Sequence, residues 1–131
     1  MLPRNRWFIA AALVYALAGG LLGLAWLAVP DRLPAYTLRA HAHLMLVGFI
    51  GMMIFGVGLH VLPRFTGRSL YSERIADLQF AFVNVGLIAM VAGWLAVLAS
   101  VARFGGALLW AGLALFALNV VATVRPWLRR G

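Results

Sequence analysis

The stretch HAHLMLVGFIGMMIFGVGLHVL, residues 41–62, decides how this chain folds. It holds no arginine, lysine, aspartate or glutamate. As a helix it would extend roughly 33 Å, enough to cross about 30 Å of bilayer hydrocarbon. It shows no period-two alternation, so it reads as a helix that Pro63 ends. Three more apolar runs flank it, at 7–29, 78–102 and 104–124. The four runs predict an all-α integral membrane protein, one four-transmembrane-helix bundle over residues 1–131. The breaks are Pro30 to Ala40, Pro63 to Asp77, and a tight hairpin at Arg103, Phe104 and the Gly105-Gly106 pair.

Composition supports this class. Of 131 residues, 65% are hydrophobic and 11% charged, too much apolar surface for a soluble domain of this length to hide. With no cysteine, disulfides, thiolate metal sites and c-type haem attachment are excluded. The net charge of +8 comes from arginines that punctuate the apolar runs. Topology explains that pattern, and membrane lipid rather than nucleic acid is the expected partner. The first run is longer than the ~7–15 residues of a signal-peptide core, so it reads as a mature span. The N-terminus, second loop and C-terminus, with Arg4, Arg6, Arg64, Arg68, Arg74, Arg125, Arg129 and Arg130, outweigh the other two loops, with Arg32, Arg39 and Arg103. Both termini are therefore expected in the cytoplasm, with the second helix running from outside to inside. Trp7, Trp26, Trp110 and Trp127 read as interfacial anchors.

The chemistry lies in the histidines, since ionisable side chains within a span default to a functional reading. His41 and His43 point about 200° apart around a helix. They cannot grip one ordinary metal ion together, but they can serve two sites on opposite faces. Haem suits this, because it takes one imidazole per face and fills a flat slot between helices. His60 lies about 25 Å further along the axis, so it serves a separate inner site or is an interfacial polar residue. Gly48 returns nearly to the face of His41. With Gly51, Gly56 and Gly58 it is either a slot for a flat cofactor or a helix-packing residue. Met45, Met52 and Met53 read as filler. Gln79, Asn84, Asn119 and Thr123 read as inter-helix hydrogen-bonding residues, and Glu73 and Asp77 as solvated partners of Arg68 and Arg74.

His41-Ala42-His43, Gly48-Phe49, Met52, Gly56 and Leu59-His60-Val61-Leu62-Pro63-Arg64 together resemble the tenth helix of the catalytic subunit I of haem–copper oxidases. The likeness is greatest to cbb-type oxidases and nitric oxide reductases. It continues through Thr66-Gly67-Arg68, Leu70, Ser72 and Gln79-Phe80. The resemblance implies that His41 holds a high-spin haem and His43 a low-spin haem, and that His60 matches a family histidine before the closing proline. It implies that the four spans correspond to the last four of twelve helices. Arg103 and Arg39 become candidate anchors for haem propionates, which a guanidinium can pair bidentately. The family's copper ligands and the second ligand of its low-spin haem have no counterpart among the three histidines of this chain.

The resemblance further implies haem b as cofactor, a place in a bacterial respiratory chain in the inner membrane, and a quinol or cytochrome as electron donor. The family subunit resembles three four-helix arcs around a pseudo-threefold axis. A homotrimer with haem between His43 of one copy and His41 of the next is therefore expected, with a homodimer as the alternative. Two histidines per iron point to electron transfer; an open sixth position points to binding of nitric oxide or dioxygen. Whether the chain turns over a substrate as a haem-dependent oxidoreductase is left open by the residues. The alternative functions are a non-catalytic accessory subunit of an oxidase or reductase, and a metal-handling protein using His41, His43 and His60.

Overall fold

The computed structural model describes residues 3–128 as four long helices, with no strand among the described residues. α1 spans Pro3–Ala28 and is followed by a short 3-10 turn at Pro30–Arg32. α2 spans Thr37–Thr66, α3 Glu73–Leu95 and α4 Ala99–Leu128. All four are long and apolar enough to cross a membrane, so the expected four-span architecture stands. Arg129, Arg130 and the Trp127 side chain, counted above for topology and anchoring, lie outside the described residues.

Two expected boundaries are corrected. Pro63 does not end α2, which runs on to Thr66. A proline this near a helix end forfeits one backbone hydrogen bond and little else. Termination falls to Gly67, whose φ of 63° is a left-handed conformation that a side chain would resist. The N–H of Arg68 then donates to the Pro63 carbonyl at 3.1 Å.

The second correction concerns the hairpin, which lies at Ala96–Leu98 rather than at Arg103 and the glycine pair. Val97 takes a φ of 59° there, unusual for a β-branched residue. Its N–H donates to the Trp94 carbonyl at 3.2 Å, and that of Leu98 to the Gly93 carbonyl at 2.7 Å. These two bonds form a Schellman closure with valine where glycine is usual. Gly105 instead lies inside α4, opposite Met90. A Cβ on Gly105 would overlap the Met90 backbone, one on Gly93 the Ala102 backbone, and one on Gly86 the Leu109 backbone. In a bilayer, helices gain little from hiding apolar surface from one another, and small residues promote association by letting backbones touch.

Within α2, residues Leu44–Gly51 form a π-helical segment. The N–H of Met52 closes it by reaching the Val47 carbonyl, five residues back. Its wider turns shift the angular register between the His41/His43 pair and His60, so a simple 3.6-residue projection does not hold along α2.

One phenylalanine from each helix meets in the core. Phe8 of α1 packs edge-on against Phe80 of α3 (centroids 4.9 Å apart) and Phe55 of α2 (6.2 Å). Phe55 in turn lies 4.6 Å from Phe116 of α4. Leucines such as Leu17, Leu21 and Leu27 project outward, as a bilayer requires.

Polar links join the helices. Tyr15 donates to Asn84 Oδ1 at 2.7 Å. Asn119 accepts from the Ser72 N–H and donates to its carbonyl, while Thr123 accepts from the Tyr71 N–H, tying the α2–α3 loop to α4. Gln79 departs from expectation. It is fully buried, and neither amide atom has a hydrogen-bond partner among the described residues. Glu73 and Asp77 also differ, since both pair with Arg4 of α1 rather than with Arg68 or Arg74. The starts of α1 and α3 and the last turns of α4 therefore share one end of the bundle with His60. His41 and His43 occupy the other end.

A histidine pair on two faces of one helix

α2 begins one turn before His41, so both outer histidines stand on regular α-helix, just ahead of the π-helical segment. They diverge as their two-residue spacing requires. His41 turns toward α1, where its Nδ1 lies 2.7 Å from the Gly19 carbonyl oxygen. His43 turns toward α3, its ring 4.7 Å from that of Trp94 at 70°, and its Nδ1 lies 3.0 Å from the Arg39 carbonyl oxygen. A carbonyl oxygen only accepts, so in both imidazoles Nδ1 carries the proton and donates it. Each Nε2 is then left with its lone pair available, and its ring is oriented by backbone, as in metal-ligating histidines generally.

Gly23 makes the seat of His41 possible. A Cβ there would lie 2.8 Å from the imidazole Cε1 and Nδ1, so any side chain would push the ring off α1. Gly19 and Gly23 were not singled out as site residues by sequence reading. The signal was present as a small-xxx-small pair in the first span, a pattern that usually means helix packing. Trp94 was missed as well, because nothing local links it to His43.

His41 lines a groove, whereas His43 is separated from the nearest one by Trp94. His41 lines a cleft of about 360 Å³ with Gly20, Gly23, Leu24, Leu27 and Leu38, an apolar wall of the kind that accepts a flat macrocycle. Beyond Trp94 lies a second cleft of about 340 Å³, lined by Tyr36, Arg39, Gly93, Ala102 and Arg103 among others. The two arginines considered as carboxylate anchors thus line one groove, although they are far apart in sequence. Arg39 stacks over Tyr36, its guanidinium carbon 5.3 Å from the ring centroid. Arg103 stands on the second turn of α4, not in a loop, and its Nε donates to the Ala99 carbonyl.

Gly48 is not a cofactor slot. It is buried, and a Cβ on it would meet Tyr15 at 2.7 Å and Leu87 at 3.0 Å, so the space it leaves is filled by helix packing. His60, at the far end of α2, lines a different groove with Arg64, Glu73 and Asn5. Among the described residues no three His, Asp or Glu side chains are grouped to hold a metal ion, so the three histidines do not form one metal centre.

These residues fit haem in donor chemistry: two oriented imidazoles with free Nε2, an apolar wall beside His41, and two guanidiniums lining the cleft beyond Trp94. The family model of cytochrome c and quinol oxidase polypeptide I matches residues 5–103, most of the chain, including both outer histidines, His60 and Arg103. Neither the comparison with curated proteins nor that with solved structures produced a match. The chain belongs to the cytochrome c and quinol oxidase polypeptide I family.

Proposed function

We propose that this member of the oxidase polypeptide I family is a b-type haem membrane protein that passes electrons, its haem held by His41 and His43 where copies of the chain meet. The observation that carries this reading is the shared Nδ1–H bond to a backbone carbonyl, which leaves both Nε2 atoms free on opposite faces of α2. Haem b, when bound, supplies a one-electron iron couple and, at an open coordination position, a seat for nitric oxide or dioxygen.

The residues divide the work. His41 and His43 donate lone pairs, and Gly19, Gly23 and the Arg39 carbonyl hold their rings. Arg39 and Arg103 line the cleft next to Trp94, where their guanidiniums would pair with carboxylates at the porphyrin edge. No histidine occurs on α1, α3 or α4, so this chain supplies no ligand set for a copper centre beside the haem. Because the two imidazoles face away from each other, an iron with two histidines would draw them from two copies: His43 of one and His41 of the next in a ring, or the same histidine twice across a two-fold axis. A closed ring of three copies makes all such sites equivalent, and a dimer is the simpler alternative. The setting that suits this role is a bacterial cytoplasmic membrane, with both termini inside and a quinol or cytochrome as donor.

A second reading rests on one observation: among the described residues, His41 is the sole ligating side chain lining its cleft. An iron held by a single chain there would keep one position open for a diatomic gas.

The test is the absorption spectrum of detergent-purified protein expressed with ample haem supply. A pyridine haemochrome of b type, lost from His41→Ala and His43→Ala proteins, is the expected result. A colourless protein overturns the proposal. Carbon monoxide leaves a six-coordinate bis-histidine spectrum unchanged and shifts a five-coordinate one, separating electron transfer from gas binding.

A further inference from the structure

At the end of the bundle away from the histidine pair lies a third groove, of about 400 Å³, between the start of α1, the last turns of α2 and the start of α3. Its polar lining is Asn5, His60, Arg64, Ser69 and Glu73; its apolar walls include Leu59 and Leu70. His60 and Arg64 are one helical turn apart, so both project from one face of α2. Glu73 is ion-paired with Arg4, whose single guanidinium also reaches Asp77 at 3.3 Å. Arg4 in turn donates to Asn5, itself almost fully buried. Beside that ion pair the groove presents the exposed Arg64 guanidinium and the His60 imidazole at the boundary of a membrane span.

We infer that this groove binds the phosphate headgroup of an anionic phospholipid, with Arg64 pairing the phosphate and His60 donating a ring N–H to it. The argument is charge complementarity at a fixed depth. Basic pockets between transmembrane helices take anionic headgroups, and each arginine near the surface strengthens the attraction. A guanidinium matches the two oxygens of a phosphate. The inference does not depend on haem, and His60 acquires a role that its distance from the other histidines denies it in their sites.

The experiment is native mass spectrometry of the full chain in detergent, offered phosphatidylglycerol, phosphatidylcholine of the same acyl chains, or inorganic phosphate. Phosphatidylglycerol is expected to remain bound preferentially, and millimolar phosphate is expected not to displace it. Arg64→Gln should weaken retention about five-fold, and Arg64→Lys, which keeps the charge but not the two-pronged geometry, should restore only part of it. Arg32→Gln, in the exposed turn at the other end, should change nothing. Equal retention of the two lipids, or unaltered retention in Arg64→Gln protein that still unfolds cooperatively on heating, would overturn the assignment. Displacement by phosphate at matching concentration would do so too, by giving the site to a soluble anion.

Discussion

The imidazole of His41 reaches across from α2 to the Gly19 carbonyl of α1, with 2.7 Å between Nδ1 and the oxygen. A carbonyl inside a transmembrane helix normally serves only its own helix. It is reachable here because Gly23, one turn on, has no side chain to cover it. The bond holds one tautomer and one ring orientation at the mouth of an apolar cleft, and it connects the packing of two helices to the chemistry proposed for one of them.

Gly23→Val should therefore act on the cofactor without touching a ligand. The valine drives the ring away from Gly19, and loss of an outer-shell partner of this kind weakens metal-site affinity by about 10–100-fold. Haem titration into the purified apoprotein measures it. Affinity equal to that of the unaltered protein would mean that the His41–Gly19 bond has no part in holding haem.

Arg39 and Arg103 share a groove, so their effects should be linked. Arg39→Gln and Arg103→Gln should each speed haem loss, and the double variant should differ from the product of the two, because both act on the same edge of one ligand. Stopped-flow transfer of haem to an apoglobin scavenger gives the rates. Strictly multiplicative effects would place the two arginines on different groups.

Two adjacent glycines should behave in opposite ways. Gly105→Ala inserts a methyl group into the Met90 backbone and should cost about 1–3 kcal/mol or more through separation of α3 and α4. Gly106→Ala meets only the Met90 sulfur at an ordinary 3.5 Å and should be neutral, or should gain up to about 1 kcal/mol from helix propensity. Detergent-titrated unfolding followed by circular dichroism compares them. Equal stability of the two variants would contradict the hairpin register described above.

Gln79 is fully buried with its amide unpartnered among the described residues, so Gln79→Met, which keeps the volume, should be tolerated or stabilising by about 1 kcal/mol or more. The same unfolding measurement applies. A marked loss of stability would reveal a hydrogen-bonded partner for this amide in the bilayer.

Much of this was legible along the chain, and the losses have identifiable causes. The four spans followed from apolar run length. The divergence of His41 and His43 followed from helical angle over two residues, too short a distance for the π-helical segment to disturb. The hairpin was misplaced because Gly105 and Gly106 carry the usual signal of a turn. In a bilayer that residue type also serves close helix contact, and the turn itself uses Val97, which carries no such signal. Gly48 was ambiguous for a related reason, since a missing side chain admits a cofactor or a neighbouring helix equally, and only the position of Tyr15 decides which. Arg4 was not paired with Glu73 and Asp77 because residues near 4 and near 75 become neighbours only once α1 and α3 lie side by side.

Read alone, the order of residues was sufficient for the number of helices, their membrane character, the family, and two imidazoles on opposite faces of one of them. These depend on hydropathy over about twenty residues and on the angle between near neighbours, both local quantities. Tertiary structure decided which carbonyl orients His41, which aromatic ring meets His43, that Arg39 and Arg103 line one cleft, and where the chain reverses. Each of those requires two segments distant in sequence to arrive at one place, and that is set by how whole helices pack.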